Sequence, residues 1–237
     1  MTEILKIENL SKSFDGVMTI KDVSFIVNKQ TVTLITGENG AGKTTLFNLI
    51  TGLEKPTSGN IIYQDEEISA KSSLKIAQIG IIRLFQQPRL FKNLSVWENL
   101  VSASPNAAGN QFSNLIFNYK KVKNDDEKLK KQATELLEKF DLQHLVNQTA
   151  GELSYGQQKL ISFCMICMDV TQLALLDEPF AGLNPQTVEQ FCKMILQMKN
   201  EGITFLIIEH NINKALKIAD FQIEMKNGLI IASEVIR

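Results

Sequence analysis

The sequence predicts an α/β fold: a mixed sheet with helices on both faces, preceded by an antiparallel β segment and interrupted by a helical insertion. Three observations predict it. Thr31-Val-Thr-Leu-Ile-Thr36 reads as a buried strand, and it runs through Gly37, Gly40 and Gly42 into Lys43-Thr44-Thr45 and a helical stretch, Leu46–Ile50. Strand, Gly-rich loop, Lys-Thr and helix in that order is the phosphate-binding loop (P-loop) pattern. The apolar runs Leu173–Leu176 and Thr204–Ile208 alternate with helical patterns, as parallel strands covered on both faces do. Between the loop and these runs, residues 89–150 lose that alternation and become helical in character.

Composition bounds the possibilities. A chain of 237 residues can bury one large core or two small ones. Net charge is -1, so no basic surface is implied and nucleic acid is not an expected partner. No apolar run reaches the roughly 18 residues needed to cross a bilayer. The start, Met1-Thr-Glu-Ile-Leu-Lys6, has an early acid and no signal-peptide core, so a cytoplasmic protein is expected, with any membrane role peripheral. Three cysteines do not make a disulfide framework. Cys164 and Cys167 form a C-x-x-C, but within an apolar helical run, whereas a redox pair belongs at a polar helix start. Two buried thiols are the expectation.

In chain order, short strands are expected at Ile4–Ile7, Val17–Ile20, Ser24–Val27 and Thr31–Ile35, with turns at Asp15-Gly16 and Asn28-Lys29. The helix after the loop should stop near Thr51-Gly52. Pro56–Gly59 makes a turn and Asn60–Tyr63 a strand. Ile76–Phe85 contains a further apolar β run, Ile79–Phe85, ended by Gln86-Gln87-Pro88. Leu94–Leu100 looks helical with Ser95 as cap, and Ser102–Asn114 reads as a loop. From Asn124, Leu129, Ala133, Leu136, Leu137 and Phe140 fall at helical spacing, with Asp125, Asp126 and Glu127 placed in a first turn where acids suit the dipole. Lysines at 120, 121, 123, 128, 130 and 131 read as a solvated face more readily than as a binding patch. A helix then runs from Ser154 to about Met168. The strand Leu173–Leu176 follows, then a helix with Asn184 and Pro185 at its start, and the strand Thr204–Ile208. Asn211 caps a helix through Ala219, and strands Phe221–Met225 and Leu229–Ala232 finish the chain.

Ligands of parallel α/β sheets collect beyond the ends of the strands. Three strands here end in polar chemistry: at Gly37, at Asp177-Glu178 and at Glu209-His210. In the loop, residues Gly37, Glu38, Asn39, Gly40, Ala41, Gly42, Lys43, Thr44 and Thr45 can turn successive N–H groups on phosphate oxygens, and the helix N-terminus adds to them. Lys43 can reach the β- and γ-phosphates of a nucleotide such as ATP, and the Thr44 hydroxyl can ligate Mg2+. Asp177 fits the acid that holds Mg2+ through water, and Glu178 a carboxylate that accepts a proton from attacking water. Phe14 is open to two readings, peripheral core or a platform for adenine.

Gly151-Glu-Leu-Ser-Tyr-Gly-Gln-Gln158 resembles the signature motif of ATP-binding cassette (ABC) ATPases, and the match continues in order through the whole chain. Gln86 corresponds to the family's glutamine loop, Leu173–Glu178 to its Walker B strand and catalytic glutamate, and Ala181–Asn184 to its D-loop. His210 corresponds to the switch histidine, and Phe14 to the adenine-stacking aromatic. The resemblance implies the ABC ATPase fold: a P-loop core and β subdomain in residues 1–88 and 166–237, with the helical subdomain in 89–165. Tyr155 stands where glycine is commoner in the signature, and Asn184 where aspartate is commoner in the D-loop.

What the resemblance implies has a physical logic. A serine and glycines at a helix N-terminus form a second anion site. Two copies, or one copy and a related ATPase, pair head to tail, so that Ser154, Gly156 and Gln157 serve the partner's nucleotide. His210 contacts the γ-phosphate, and Gln86 senses Mg2+ and water and relays closure to integral membrane permease subunits. The protein is then an ATP hydrolase on the inner face of a membrane. Arg83-Leu-Phe-Gln-Gln87, the segment after Trp97-Glu-Asn99 and Ala181–Pro185 look like ATPases of branched-chain amino acid importers. Urea-type importers and lipopolysaccharide exporters share much of this. A soluble ABC ATPase acting on DNA or ribosomes is the alternative; those commonly pair two cassettes in one chain or carry a long coiled coil, and neither pattern is visible.

Overall fold

The computed structural model describes residues 2–103, 119–168, 171–210 and 212–237, with the backbone alone for 119–127. In chain order the strands are β1 (Glu3–Phe14), β2 (Val17–Asn28), β3 (Val32–Thr36), β4 (Ser58–Tyr63), β5 (Glu66–Glu67), β6 (Ile81–Leu84), β7 (Leu173–Asp177), β8 (Thr204–Ile208), β9 (Phe221–Lys226) and β10 (Leu229–Val235). The α-helices are α1 (Lys43–Ile50), α2 (Ser73–Gln78), α3 (Val96–Ser102), α4 (Tyr119–Lys139), α5 (Tyr155–Cys167), α6 (Pro185–Asn200) and α7 (Ile212–Ala215). The chain divides into two compact units: Met1–Gln86 with Gln172–Ala181 and Pro185–Arg237, and Gln87–Thr171 with Gly182–Asn184.

The first unit contains both sheets. The antiparallel sheet has the order β2-β1-β4-β5. β1 and β2 meet through Asp15 and Gly16, both at positive φ, as a two-residue hairpin turn requires. Where the sequence suggests two strands, Val17–Ile20 and Ser24–Val27, the chain forms one. The β1–β2 register shifts on either side of Leu10, and nearby Asn9 and Asp22 take positive φ and bond to each other, Nδ2 to Oδ1, at 2.9 Å. Asp22 interrupts the apolar alternation, and the strand absorbs it as an irregularity rather than ending.

The larger sheet has the order β10-β9-β3-β8-β7-β6. β3 runs parallel to β8 and β9, β7 runs parallel to β6 and β8, and only β10 is antiparallel to its neighbour. Every residue of β3, β7 and β8 is buried, so both faces of the middle of the sheet are covered, as continuous apolar runs demand. Alternation sorts the two faces. Leu173, Leu175, Leu206 and Ile208 join Leu46, Phe47, Leu49 and Ile50 of α1, together with Leu5, Ile7 and Leu10 of β1, in one core. Ala174, Leu176, Phe205 and Ile207 point to the other face, and α6 packs against β8 with Val188, Phe191, Ile195 and Met198 buried. The β run expected at Ile79–Phe85 is shorter, Ile81–Leu84: α2 ends at Gln78, and Gly80 at φ 92 turns the chain before β6 begins. The helix expected through Ala219 has α-helical form only at Ile212–Ala215, and its proposed cap Asn211 lies outside the described residues.

The second unit is helical. Ser95 caps α3 in a capping box with Glu98, and Ser154 caps α5 in another with Gln157. Leu129, Ala133, Leu137 and Phe140 are buried along α4, and Phe140 meets Phe163 of α5 edge-on at 6.3 Å. Asn99, fully buried, accepts from Phe91 N–H at 2.8 Å and donates to the carbonyls of Phe91 and Ser95 at 3.1 and 2.9 Å, closing the loop before α3. α4 begins at Tyr119, so Asp125, Asp126 and Glu127 lie beyond its first turn and the dipole argument for them fails. Ser102 belongs to α3, and the rest of the expected loop to Asn114 lies almost wholly outside the described residues. The side chains of Lys120, Lys121 and Lys123 are likewise outside. Lys128, Lys130 and Lys131 are exposed, with the Lys130 ammonium 4.5 Å from the Trp97 ring centre. Of the two thiols expected to be buried, Cys164 is buried, and burial pushes its pKa up. Cys167, the last residue of α5, is only half-buried.

Candidate nucleotide site

The loop between β3 and α1 is built by two glycines that admit no side chain. A Cβ on Gly37 would fall 2.1 Å from the Met225 carbonyl oxygen, and one on Gly42 would fall 2.9 Å from that of Thr19. The loop is therefore pressed between β2 and β9. Gly42, at φ 101, also serves as the N-cap of α1, and no side chain caps that helix. The first-turn amides of α1 are left for an anion.

A cavity of about 170 Å³ opens there, lined by Asn39, Gly40, Ala41, Gly42, Lys43, Thr44, Thr45, Thr19, Glu178 and His210. Gly37 and Glu38 contribute from behind. Their carbonyl oxygens accept from the Lys43 ammonium at 2.7 and 2.8 Å. Lys43 is buried, and that burial pulls its pKa below the ordinary 10.5, with Glu178 and then Asp177 pushing it back up. The Thr44 hydroxyl is exposed on the first turn of α1.

Glu178 follows β7 with a left-handed backbone, φ 46, an uncommon and costly conformation for a glutamate. Its N–H donates to the Ile208 carbonyl at 2.9 Å, which ties the turn to the end of β8. Both of its carboxylate oxygens are held: Gln86 Nε2 donates to Oε2 at 2.7 Å, and His210 Nε2 lies 3.0 Å from Oε1. The three expected catalytic residues thus meet at one carboxylate. Asp177, one residue earlier, points elsewhere. Its Oδ2 takes a bond of 2.5 Å from Arg83, whose other nitrogen donates to Asn48 of α1 at 2.6 Å. Phe14, at the end of β1, is 39% exposed, and one of its faces carries the Lys12 ammonium 4.6 Å from the ring centre.

Ser154, Gly156 and Gln157 sit at the start of α5 in the helical unit. Ser154 is exposed, its Oγ accepts from Gln157 N–H at 3.3 Å, and the Gln157 Oε1 accepts from Ser154 N–H at 2.9 Å. Tyr155 lies against the D-loop: a Cβ on Gly182, at φ 75, would stand 3.1 Å from its ring. Sequence reasoning overlooked Thr19 and Arg83 as the partner of Asp177, and it placed Glu209 at a strand end without giving it a role; its buried Oε1 accepts from Phe180 N–H at 2.7 Å. A charge inside an apolar strand was the available signal for Arg83, and a carboxylate ending a buried strand the signal for Glu209; Thr19 had none.

The profile of the ABC transporter family matches residues 20–181. Over 230 residues the chain is 39% identical to a probable branched-chain amino acid transport ATP-binding protein, LivG, of Methanocaldococcus jannaschii, covering 97% of this chain and 89% of that one. It is 34% identical to the high-affinity branched-chain amino acid transport ATP-binding protein BraF of Pseudomonas aeruginosa, covering 97% and 90%. Among solved structures, a nucleotide-free ATP-binding cassette from an ABC transporter superposes with a TM-score of 0.85 at 37% identity, covering 99% of this chain and 92% of that one. The ADP conformation of an ABC transporter cassette matches with the same TM-score, identity and coverage. The chain belongs to the ABC transporter family, as one of its ATP-hydrolysing ATP-binding cassettes.

Proposed function

We propose that this cassette drives import of branched-chain or closely related amino acids through a separate membrane permease, working peripherally as one member of a head-to-tail pair. The relatives named above supply the substrate class. Among the described residues no helix is long and apolar enough to cross a membrane, which fits a cassette that relies on permease subunits.

Each residue near the loop takes a role in this reading. The amides of Asn39–Thr45 and the Lys43 ammonium bind the triphosphate, and the exposed face of Phe14 supports adenine. Asp177, the Thr44 hydroxyl and the amide oxygen of Gln86 are hard oxygen donors of the kind Mg2+ takes, alongside water and phosphate, so the donor set fits that ion. Bound there, Mg2+ would supply charge neutralisation at the β- and γ-phosphates. Glu178 accepts the proton of the attacking water as the oxygen–phosphorus bond forms, and the β–γ bridge oxygen leaves on ADP. Gln86 and His210 orient that carboxylate, and His210 moves to the γ-phosphate when nucleotide enters. Ser154, Gly156 and Gln157, with the first amides of α5, complete the partner's site.

The observation that carries the reading is the Glu178 carboxylate, held between Gln86 and His210 at the mouth of the phosphate-loop cavity. Glu178→Gln keeps both hydrogen-bond partners available but removes the base. It should bind ATP, hydrolyse it at least about 100-fold more slowly and accumulate as a closed dimer. Near-normal turnover would remove Glu178 from the role of base. Recovery of the native protein with an amino acid permease from membranes tests the transport assignment.

A further inference from the structure

Arg83 belongs to β6, a strand otherwise made of Ile81, Ile82 and Leu84. Its side chain is 6% exposed, and the guanidinium lies over Phe47 at 5.5 Å and Phe85 at 4.8 Å. One terminal nitrogen donates to Asp177 at 2.5 Å and the other to Asn48 at 2.6 Å, while Nε–H finds no acceptor among the described residues. Apolar side chains in place of both Arg83 and Asp177 would pack here about as well, since a buried ion pair is often no more stable than a hydrophobic replacement of the whole pair, and an orphaned N–H adds a penalty. Stability therefore does not explain the arginine. Its geometry does. Asn48 stands four residues after Thr44 on α1, so the two share a helix face. A rigid two-pronged cation thus spans the acid at the end of β7 and the helix face that presents the Thr44 hydroxyl.

We propose that Arg83 is a positioning residue for the metal-bound nucleotide: it fixes the Asp177 carboxylate relative to the Thr44 face of α1, and so sets the Mg2+ response of the site. The proposal rests on the assignment of Asp177 and Thr44 as the Mg2+-side oxygens. With Arg83 in place, the buried carboxylate is aimed before the metal arrives, with one oxygen tied down. Without it, the acid is left buried and unpaired, and its distance from Thr44 is no longer fixed.

The test uses the full chain in two measurements. In the first, affinity for a fluorescent ATP analogue is titrated in EDTA and across Mg2+ concentrations. Arg83→Met should leave the EDTA affinity within about twofold and raise the Mg2+ concentration for half-maximal effect at least about tenfold. Arg83→Lys, which keeps the charge but cannot span both acceptors, should fall between, and Asn48→Ala should shift in the same direction by less. In the second, thermal melting of the nucleotide-free, metal-free protein closes a double-mutant cycle. Arg83→Met and Asp177→Asn should each lower the melting temperature, and the pair together should lower it by clearly less than the sum. A normal Mg2+ response in both Arg83 variants, beside a shifted one in Asp177→Asn, overturns the role of Arg83 and leaves the site assignment standing. A normal response in Asp177→Asn overturns the assignment itself and this inference with it. An additive melting cycle overturns the pairing.

Discussion

Lys43 keeps an ammonium nearly out of water, and its acceptors among the described residues are two carbonyls of its own loop. Two neutral oxygens compensate a buried charge only in part, and so burial dominates its pKa. A triphosphate is a far better partner. Replacing Lys43 with alanine should therefore weaken ATP binding at least about tenfold, in line with the loss of a charge-assisted hydrogen bond, as measured by nucleotide titration. The sign of the pH dependence follows. The binding form is the protonated one, and its pKa in the free protein lies below 10.5. The lysine's contribution should be present at neutral pH and lost as pH rises through that lowered value, and the alanine variant should lack this alkaline limb. Most of this site was legible in the sequence, because glycine spacing and a strand-to-helix switch are local features. What was not legible is pairwise and distant: Gln86 and His210 on one carboxylate, Arg83 on Asp177, and the left-handed backbone of Glu178, which depends on its tie to Ile208.

At the scale of the helix, the same capping box occurs twice, Ser95 with Glu98 on α3 and Ser154 with Gln157 on α5. This allows a comparison in which local structure is held nearly constant. Ser→Ala at an N-cap costs about 1 kcal/mol of stability. Ser95→Ala should lower the melting temperature by about 2–4 °C and leave ATP turnover per folded molecule unchanged. Ser154→Ala should cost a similar amount in melting, yet lower turnover well beyond it, because in the proposed head-to-tail pair its hydroxyl also meets the partner's phosphate. Equal turnover in the two variants would reduce Ser154 to a cap. The cap at Ser95 was read from the sequence, and Ser154 was read as a helix start, since a capping box is a local, four-residue pattern. Element boundaries that depend on tertiary pairing were not. Asp22 looked like a break in β2, and only the pairing of β1 with both β2 and β4 shows the strand continuing past it. The start of α4 at Tyr119 precedes any apolar periodicity that could announce it.

At the scale of the whole molecule, a head-to-tail pair makes each catalytic site from one chain's phosphate loop and the other chain's signature. That arrangement has a consequence no single-chain site shares. A Lys43→Ala chain has a ruined loop and a sound Ser154 helix, and a Ser154→Arg chain has the reverse. Each should be nearly inactive alone. Mixed in equal amounts and allowed to exchange partners, about half of the pairs should be heterodimers, and each heterodimer holds one site with both halves intact. Turnover of the mixture should therefore rise above that of either variant, toward a ceiling of about one quarter of the native rate. The control places both substitutions in one chain and mixes it with native chains. Every heterodimer then has one defect in each site, so activity should fall as the doubly substituted chain is added. Recovery in the first mixture and loss in the second locates loop and signature on different chains. If the first mixture stays as inactive as its components while size-exclusion chromatography shows that they exchange, the two motifs do not serve one nucleotide across the pair.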